Sequence, residues 1–475
     1  MRSPARRPLA FAVQAMGGRV LTQGPIEAQT FAGAASDSRE VAPGRLFFAL
    51  PGERVDGFDF CAAAAGAGAA AIVVDGRRGV PAGCHALPTI GVEDPRRALG
   101  DLARAARAGF AGKIVGVTGS NGKTTTKELI AAALGSAGPV LRTAGNRNTD
   151  VGLPLTILDA AGDEMFWVLE MAMRGRGEIA YLADIARPHV GLVTNVAAAH
   201  LGRLGSLDEV ARAKGEIFHG LRDGGIAVLP AGDARLEAEV AHLPAARTRR
   251  FTVSGSGAHP ASDDAVVLDF VPAGASGSVV RFGIGGTPAV ARLPLAGEHN
   301  ARNAAAALEV VAALGVPVLP AAAALERTAL PAHRSHLVAI AGRTVLDDCY
   351  NANPASMSAA LRTVTSSAGS GRAFAILGDM LELGADAEVL HAMLGREAGA
   401  QRLAGLAVVG ALAGHVARGA RETGLAPDRL FTTTDPVAAA VAVAAWSAPG
   451  DWILVKASRG LRLERAVEAL EKHLH

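Results

Sequence analysis

The chain has 475 residues, length for roughly two to four domains, and its 50% hydrophobic content can fill several cores. Aromatics make up only 4% while glycine occurs 57 times, so those cores must be built from Ala, Val and Leu, which suits α/β layers better than an aromatic-centred sandwich. A formal net charge of +2 with no basic stripe argues against nucleic-acid binding. Cys61, Cys84 and Cys349 are widely spaced without a CxxC pair, which argues against a disulfide framework or a zinc site and for a reducing cytoplasm.

The first residues, MRSPARRPLAFAVQAMGG, imitate the basic start and apolar run of a secretion signal. Gln14 breaks that run and no small-x-small cleavage site follows, so an ordinary first helix is expected. Further on, LFFAL and AAIVV alternate with Ala-rich helical stretches, and RAGFAGK (107–113) marks a crossing into a new unit. From there KIVGVT reads as a strand, GSNG as a loop and KTTTKELIAAAL as a helix. MFWVLEM and VGLVTNV read as further strands of a parallel sheet. Residues 251–295 change character: AVVLDFV and SVVRFGI, with Gly- and Ser-rich turns, predict a small antiparallel excursion, and an Ala-rich helix follows from about 299. LPAHRSH (330–336) is the second boundary, after which TVLDDCY, AFAILGDM, LAVVG and DWILVKAS alternate with helices as in a doubly wound domain. The most apolar later segment, VAAAVAVAAW, is about half the ~20 residues of a membrane span, so no membrane insertion is expected.

The stretch GVTGSNGKTTTKE (116–128) carries the chemistry. Glycines between a strand and a helix N-terminus let phosphate oxygens approach backbone N–H groups. Lys123 is placed to neutralise the β- and γ-phosphates, and the Thr124 hydroxyl to ligate Mg²⁺. Val117 stands where the general phosphate-loop pattern has its first glycine; Gly119 and Gly122 frame this loop instead, with Ser120, Asn121 and Thr125 completing it.

TGSNGKTTT, with Asn before the second glycine, resembles the Mur ligase family, ATP-dependent amide-forming enzymes of peptidoglycan precursor synthesis. AGNRNTDVGLPLTIL (144–158), the long stretch 168–218, GEHNARNAAAAL (297–308), HRSH (333–336) and LDDCYNANPASM (346–357) follow in the family's order. The resemblance implies an N-terminal α/β uridine-binding domain (1–110), a central P-loop parallel-sheet ATPase domain (111–330) and a C-terminal Rossmann-like domain (331–475). NVAAAH, LGDMLELG and LVKASRGLRLE narrow it to the member adding D-alanyl-D-alanine to UDP-N-acetylmuramoyl-tripeptide through an acyl phosphate. A sibling ligase adding the third amino acid and a folylpolyglutamate synthase stand as alternatives. A plain P-loop ATPase would explain Lys123 and Thr124 but not Lys214 or the uridine-type module.

The same resemblance assigns roles. ATP and Mg²⁺ are the expected cofactors. Glu170 and His200 are expected Mg²⁺ ligands, and Lys214, in a helix capped by Ser206, is expected to be carbamylated and so to supply negative charge to the metal site. Asn300 and Asn303 resemble ATP contacts, Arg334 an arginine reaching the γ-phosphate, and Asp348 and Asn351 a ribose- and lysine-orienting pair. Ser38 and Arg39 are candidates for the UDP group, while Phe58 stands where the family pattern has His. Lys456, Ser458 and Arg459 are candidates for holding the dipeptide's carboxylate. A cytoplasmic monomer is expected.

Overall fold

The structure, a computed structural model, describes residues 3–23, 26–52, 54–197, 204–255, 257 and 264–474. The chain packs into two compact units that share it piecewise. The first takes Met1–Thr118, Gly138–Gly191 and Gly215–Ile226; the second takes Gly119–Ala137, Leu192–Lys214 and Ala227–His475.

In the first unit, strands Ala34–Ala35, Leu46–Phe48, Ala71–Asp75 and Thr89–Val92 pair in parallel, with Arg19–Val20 antiparallel at the edge. Phe47, Ile72 and Val74 join Cys61 and Cys84 in the core on one face of this sheet. The N-terminal apolar run forms the helix Leu9–Ala15, burying Leu9 and Ala12 and leaving Gln14 exposed. The helix Pro95–Ala108 starts at Asp94, whose carboxylate accepts the N–H groups of Arg96 and Arg97, with Pro95 in the first turn. Strands Lys113–Thr118, Phe166–Glu170 and Val140–Arg142 form a second parallel set. All five residues of Phe166–Glu170 are buried, as a parallel strand covered on both faces requires.

In the second unit, the expected antiparallel excursion has three strands. Ala265–Pro272, Ser278–Ile284 and Thr287–Leu293 pair in sequence, and Ala265–Pro272 also lies parallel to Thr248–Val253. The helices Lys123–Leu134 and Glu298–Ala313 are almost wholly buried and pack on one another. The doubly wound expectation holds for the last third. Its strands run in the order His336–Ile340, Arg343–Asp347, Trp452–Lys456, Ala373–Gly378, Gly405–Val409 and Leu430–Thr433, parallel apart from the first hairpin. Side chains alternate across it: Ala375 and Leu377 enter the core holding Met357 and Leu361, while Phe374 and Ile376 enter the opposite core with Ala439 and Leu470. The strand Trp452–Lys456 returns between two earlier strands, so the crevice such a sheet offers lies at the carboxyl ends of Arg343–Asp347, Trp452–Lys456 and Ala373–Gly378. Among the described residues no helix is long and apolar enough to cross a membrane.

Candidate active site

The strand Lys113–Thr118 leads into a tight loop and then the helix Lys123–Leu134, as the sequence predicts. Gly119 and Gly122 have φ of 148° and 78°, a region that side chains disfavour. Space also demands glycine: a Cβ on Gly119 would lie 1.9 Å from Thr194 Oγ1, and one on Gly122 2.8 Å from Asn303 Oδ1. The Lys123 ammonium folds back over the loop, donating to the Gly119 and Ser120 carbonyls at 2.8 and 3.2 Å. Thr124 and Thr125 are buried at the helix start.

The loop is braced from residues 194–197, to which the sequence reading, though it quotes VGLVTNV and NVAAAH, assigns no such role. Thr194 Oγ1 and Asn195 Nδ2 donate to the Asn121 carbonyl at 2.6 and 2.9 Å, and Asn121 N–H returns a bond to Asn195 Oδ1. Ser120 Oγ both donates to the Ala197 carbonyl and accepts its N–H. A polar pair closing the apolar strand VGLVTN is the signal that could have marked them. Asn303 Nδ2 donates to Asn300 Oδ1, and Asn300 Nδ2 to the Ala296 carbonyl, so this pair stands at the loop already partnered.

Lys214 is only 1% exposed. Burial, and then repulsion from Lys123, lowers its pKa well below the ordinary lysine value. Glu170, in register with Val117 two residues before Gly119, is also buried, with Oε1 accepting from Asn148 Nδ2 at 2.8 Å. Its backbone N–H donates to Thr143 Oγ1. His200, the other expected metal ligand, lies outside the described residues.

At the carboxyl ends of the doubly wound sheet, Arg334 lies over the Tyr350 ring at 3.9 Å, and Arg459 approaches the same ring at 5.9 Å. His333 and Ser335, flanking Arg334, both adopt positive φ, costing about 1–2 kcal/mol each for residues with a Cβ. Contacts with the end of the neighbouring strand offset that cost: Ser335 N–H donates to Asp348 Oδ1, Tyr350 N–H to the His333 carbonyl, and His333 Nδ1 meets Asp347 Oδ2. Lys456 is buried, its ammonium directed to Asp348 Oδ2 at 2.5 Å and the Asn351 carbonyl at 2.9 Å. Ser458 is buried too, its hydroxyl accepting Leu381 N–H. Arg459 is more exposed and pairs with Glu464 at 3.1 Å.

Two residues of the quoted stretch LDDCYNANPASM were given no role by the sequence reading. Tyr350 stands between the arginines, and Asn353 caps the helix Pro354–Ser367 in a reciprocal box with Ser356. Asn353 Nδ2 also donates to Asn121 Oδ1 at 2.7 Å, tying the helix start to the phosphate loop. Within the first unit, Asp37 caps the short turn Ser38–Glu40 and is held near pKa 2 by the Arg39 guanidinium and N–H, while the Arg39 side chain remains 88% exposed.

Comparison with known proteins agrees in order and extent. Residues 30–107 match the model of the Mur ligase family catalytic domain, 117–311 the Mur ligase middle domain, and 333–459 the glutamate ligase domain of Mur ligases. A curated UDP-N-acetylmuramoyl-tripeptide--D-alanyl-D-alanine ligase of Bacillus subtilis is 35% identical, over 92% of this chain and 93% of its own. A crystal structure of MurF from Acinetobacter baumannii superposes with a TM-score of 0.86 at 29% identity, covering 99% of both chains. The MurF ligase of Thermotoga maritima in complex with ADP gives 0.78 at 31% identity, covering 93% of this chain and 97% of that one.

Proposed function

Because the chain belongs to the Mur ligase family, we propose that it joins D-alanyl-D-alanine to the terminal carboxylate of UDP-N-acetylmuramoyl-tripeptide at the expense of ATP. The observation that carries the chemistry is Lys214, buried beside the phosphate-loop Lys123 with a depressed pKa. An ATPase with no acyl acceptor has no use for a buried lysine there with so depressed a pKa. The substrates are those named for the curated relatives, which align along nearly the whole chain.

A carboxylate is a poor electrophile and repels the γ-phosphate, so activation calls for concentrated positive charge and fixed geometry. Lys123 would exchange its two loop carbonyls for phosphate oxygens, and Arg334 would supply a planar fork to the transferring group. The buried Thr124 hydroxyl and Glu170 carboxylate are hard oxygen donors of the kind Mg²⁺ takes. Mg²⁺ bound there would screen the repulsion between substrate carboxylate and triphosphate. The neutral Lys214 amine would add CO₂ and release a proton, turning a buried base into a carbamate anion and a further oxygen donor. His200 is proposed as a ligand on sequence grounds alone.

The geometry reassigns emphasis among the dipeptide candidates. The Lys456 ammonium is buried and committed to Asp348 and Asn351, so we read it as positioning that strand end, and Arg459, half exposed in its pair with Glu464, as the group that would turn to a carboxylate. Asn300 and Asn303 are proposed to line the nucleotide, and Ser38 and Arg39 the uridine diphosphate. Domain limits at 1–110, 111–330 and 331–475 are supported by the gaps between the matched segments. We further propose a cytoplasmic monomer.

The test is phosphate release from Mg²⁺-ATP with the UDP-tripeptide, with and without D-alanyl-D-alanine. Release that requires both substrates and yields one new amide product is expected. Release indifferent to either would overturn the ligase reading.

A further inference from the structure

At the carboxyl end of the strand Arg343–Asp347, one carboxylate gathers two side chains that the proposed ligation does not use. His333 Nδ1 lies 2.7 Å from Asp347 Oδ2, and Cys349 Sγ lies 2.9 Å from Asp347 Oδ1. These nitrogen, oxygen and sulfur atoms all fall within 4.8 Å of one another. Cys349 and Asp347 are buried, whereas the His333 side chain is 30% exposed and leaves a path from solvent. Backbone contacts hold the cluster together: the His333 carbonyl accepts Tyr350 N–H, and Asp347 Oδ1 also accepts Cys349 N–H.

A cysteine beside a histidine invites comparison with a nucleophile. Burial and the Asp347 carboxylate push the Cys349 thiol far up, so it stays protonated and unreactive by itself. What the arrangement does offer is a mixed donor set with one thiol, one imidazole and one carboxylate.

We propose that His333, Asp347 and Cys349 form a binding site for a thiophilic divalent cation, Zn²⁺ or Cd²⁺, distinct from the oxygen-donor residues proposed for Mg²⁺. Three protein ligands leave the fourth tetrahedral position to water. Metal–ligand bonds of about 2.0–2.3 Å set tetrahedral ligand atoms about 3.4 Å apart, so the two hydrogen-bonded pairs need open by less than about 1 Å. The exchange balances simply. Sulfur gives its electron pair to the cation and the thiol proton leaves to solvent. The imidazole proton moves from Nδ1 to Nε2, freeing Nδ1 to bind. One proton is therefore released for each cation bound. Mg²⁺ does not compete, because it demands oxygen ligands and dehydrates reluctantly. The widely spaced cysteines argue against such a site when only cysteine spacing is considered; the fold supplies the other two ligands from a strand end and a preceding turn.

The test uses the full chain in excess Mg²⁺, titrated with Cd²⁺ and followed by thiolate-to-metal charge-transfer absorbance. One equivalent should saturate the band in the wild type and in a Cys61→Ser/Cys84→Ser variant. Cys349→Ser, whose hydroxyl can still donate to Asp347, should keep its melting temperature and lose the band. His333→Ala, at a partly exposed position, should retain the band but bind at least tenfold more weakly. A band that survives Cys349→Ser, one lost with Cys61 and Cys84, or no band at one equivalent in the wild type would overturn the site.

Discussion

Lys214 shows why a single residue can be worth its cost. Its helix, Leu207–His219, buries Val210, Ala213, Ile217 and Phe218, and Lys214 lies on that same stripe. A lysine on an apolar face next to Lys123 holds its proton less tightly in the folded chain than in the unfolded one, which binds more protons over the range between the two pKa values. The sign follows from linkage. Between the depressed folded pKa and the ordinary 10.5, stability rises with pH, and at neutral pH the residue is a net cost. Lys214→Met should therefore melt higher than wild type in CO₂-depleted buffer at pH 7, by about 1–2 °C per kcal/mol recovered. The gap should close as pH approaches 10.5. The same substitution, like Lys214→Ala, should abolish ligation, and short carboxylic acids should partly restore it in the alanine variant by replacing the carbamate oxygens. A Lys214→Met protein no more stable than wild type at pH 7 would mean that burial does not depress the amine's pKa; full ligase activity in Lys214→Ala would end the carbamate role.

At the level of elements, stability rests on small local agreements. Asp94 accepts two N–H groups at the start of Pro95–Ala108, which then lays Leu99, Leu102 and Ala103 into the core. Asp94→Ala should cost about 1 kcal/mol, the usual worth of an N-cap, and leave turnover at saturating substrate unchanged. Thermal melting beside a steady-state assay checks both halves; a loss of turnover without a fall in Tm would refute the structural assignment. The buried parallel strands were read from sequence; the Asp-Pro before an amphipathic run here is a local signal of such a cap that went unused. The strand Thr287–Leu293 was not read, although Gly285 and Gly286, both with positive φ, form the two-residue turn that pairs Ile284 with Thr287. Its alternating TPAVARL has too few large apolar residues to stand out, because its exposed face carries the other half of the pattern. Among the site candidates, Lys123 and Thr124 were proposed from the motif and Glu170 from its place at a strand end. Thr194, Asn195 and Tyr350 were given no role: the polar pair closing VGLVTN was a local hint for the first two, but the partners of all three are far away in sequence.

The largest scale at which the candidate site is organised is the single contact between Asn353 and Asn121, which are 232 positions apart. One end starts a helix of the doubly wound sheet and the other sits inside the phosphate loop, where Thr194 and Asn195 grip the same residue. Asn353 thus has two separable jobs: Oδ1 caps the helix through Ser356 N–H, and Nδ2 reaches the loop. Serine is a good N-cap but too short to span to Asn121, so Asn353→Ser should hold Tm within about 2 °C of wild type. If the contact sets the loop's geometry, that variant should lose at least about tenfold in kcat, since small misplacements at a phosphoryl-transfer site are costly. Ser356→Ala gives the reciprocal case, weakening the capping box while leaving the Asn121 contact in place, and should lower Tm with little change in kcat. Equal effects of the two substitutions on kcat would show that the helix start, rather than its link to the loop, is what turnover depends on. Opposite patterns in Tm and kcat would assign the capping to Oδ1 and the alignment of the loop to Nδ2.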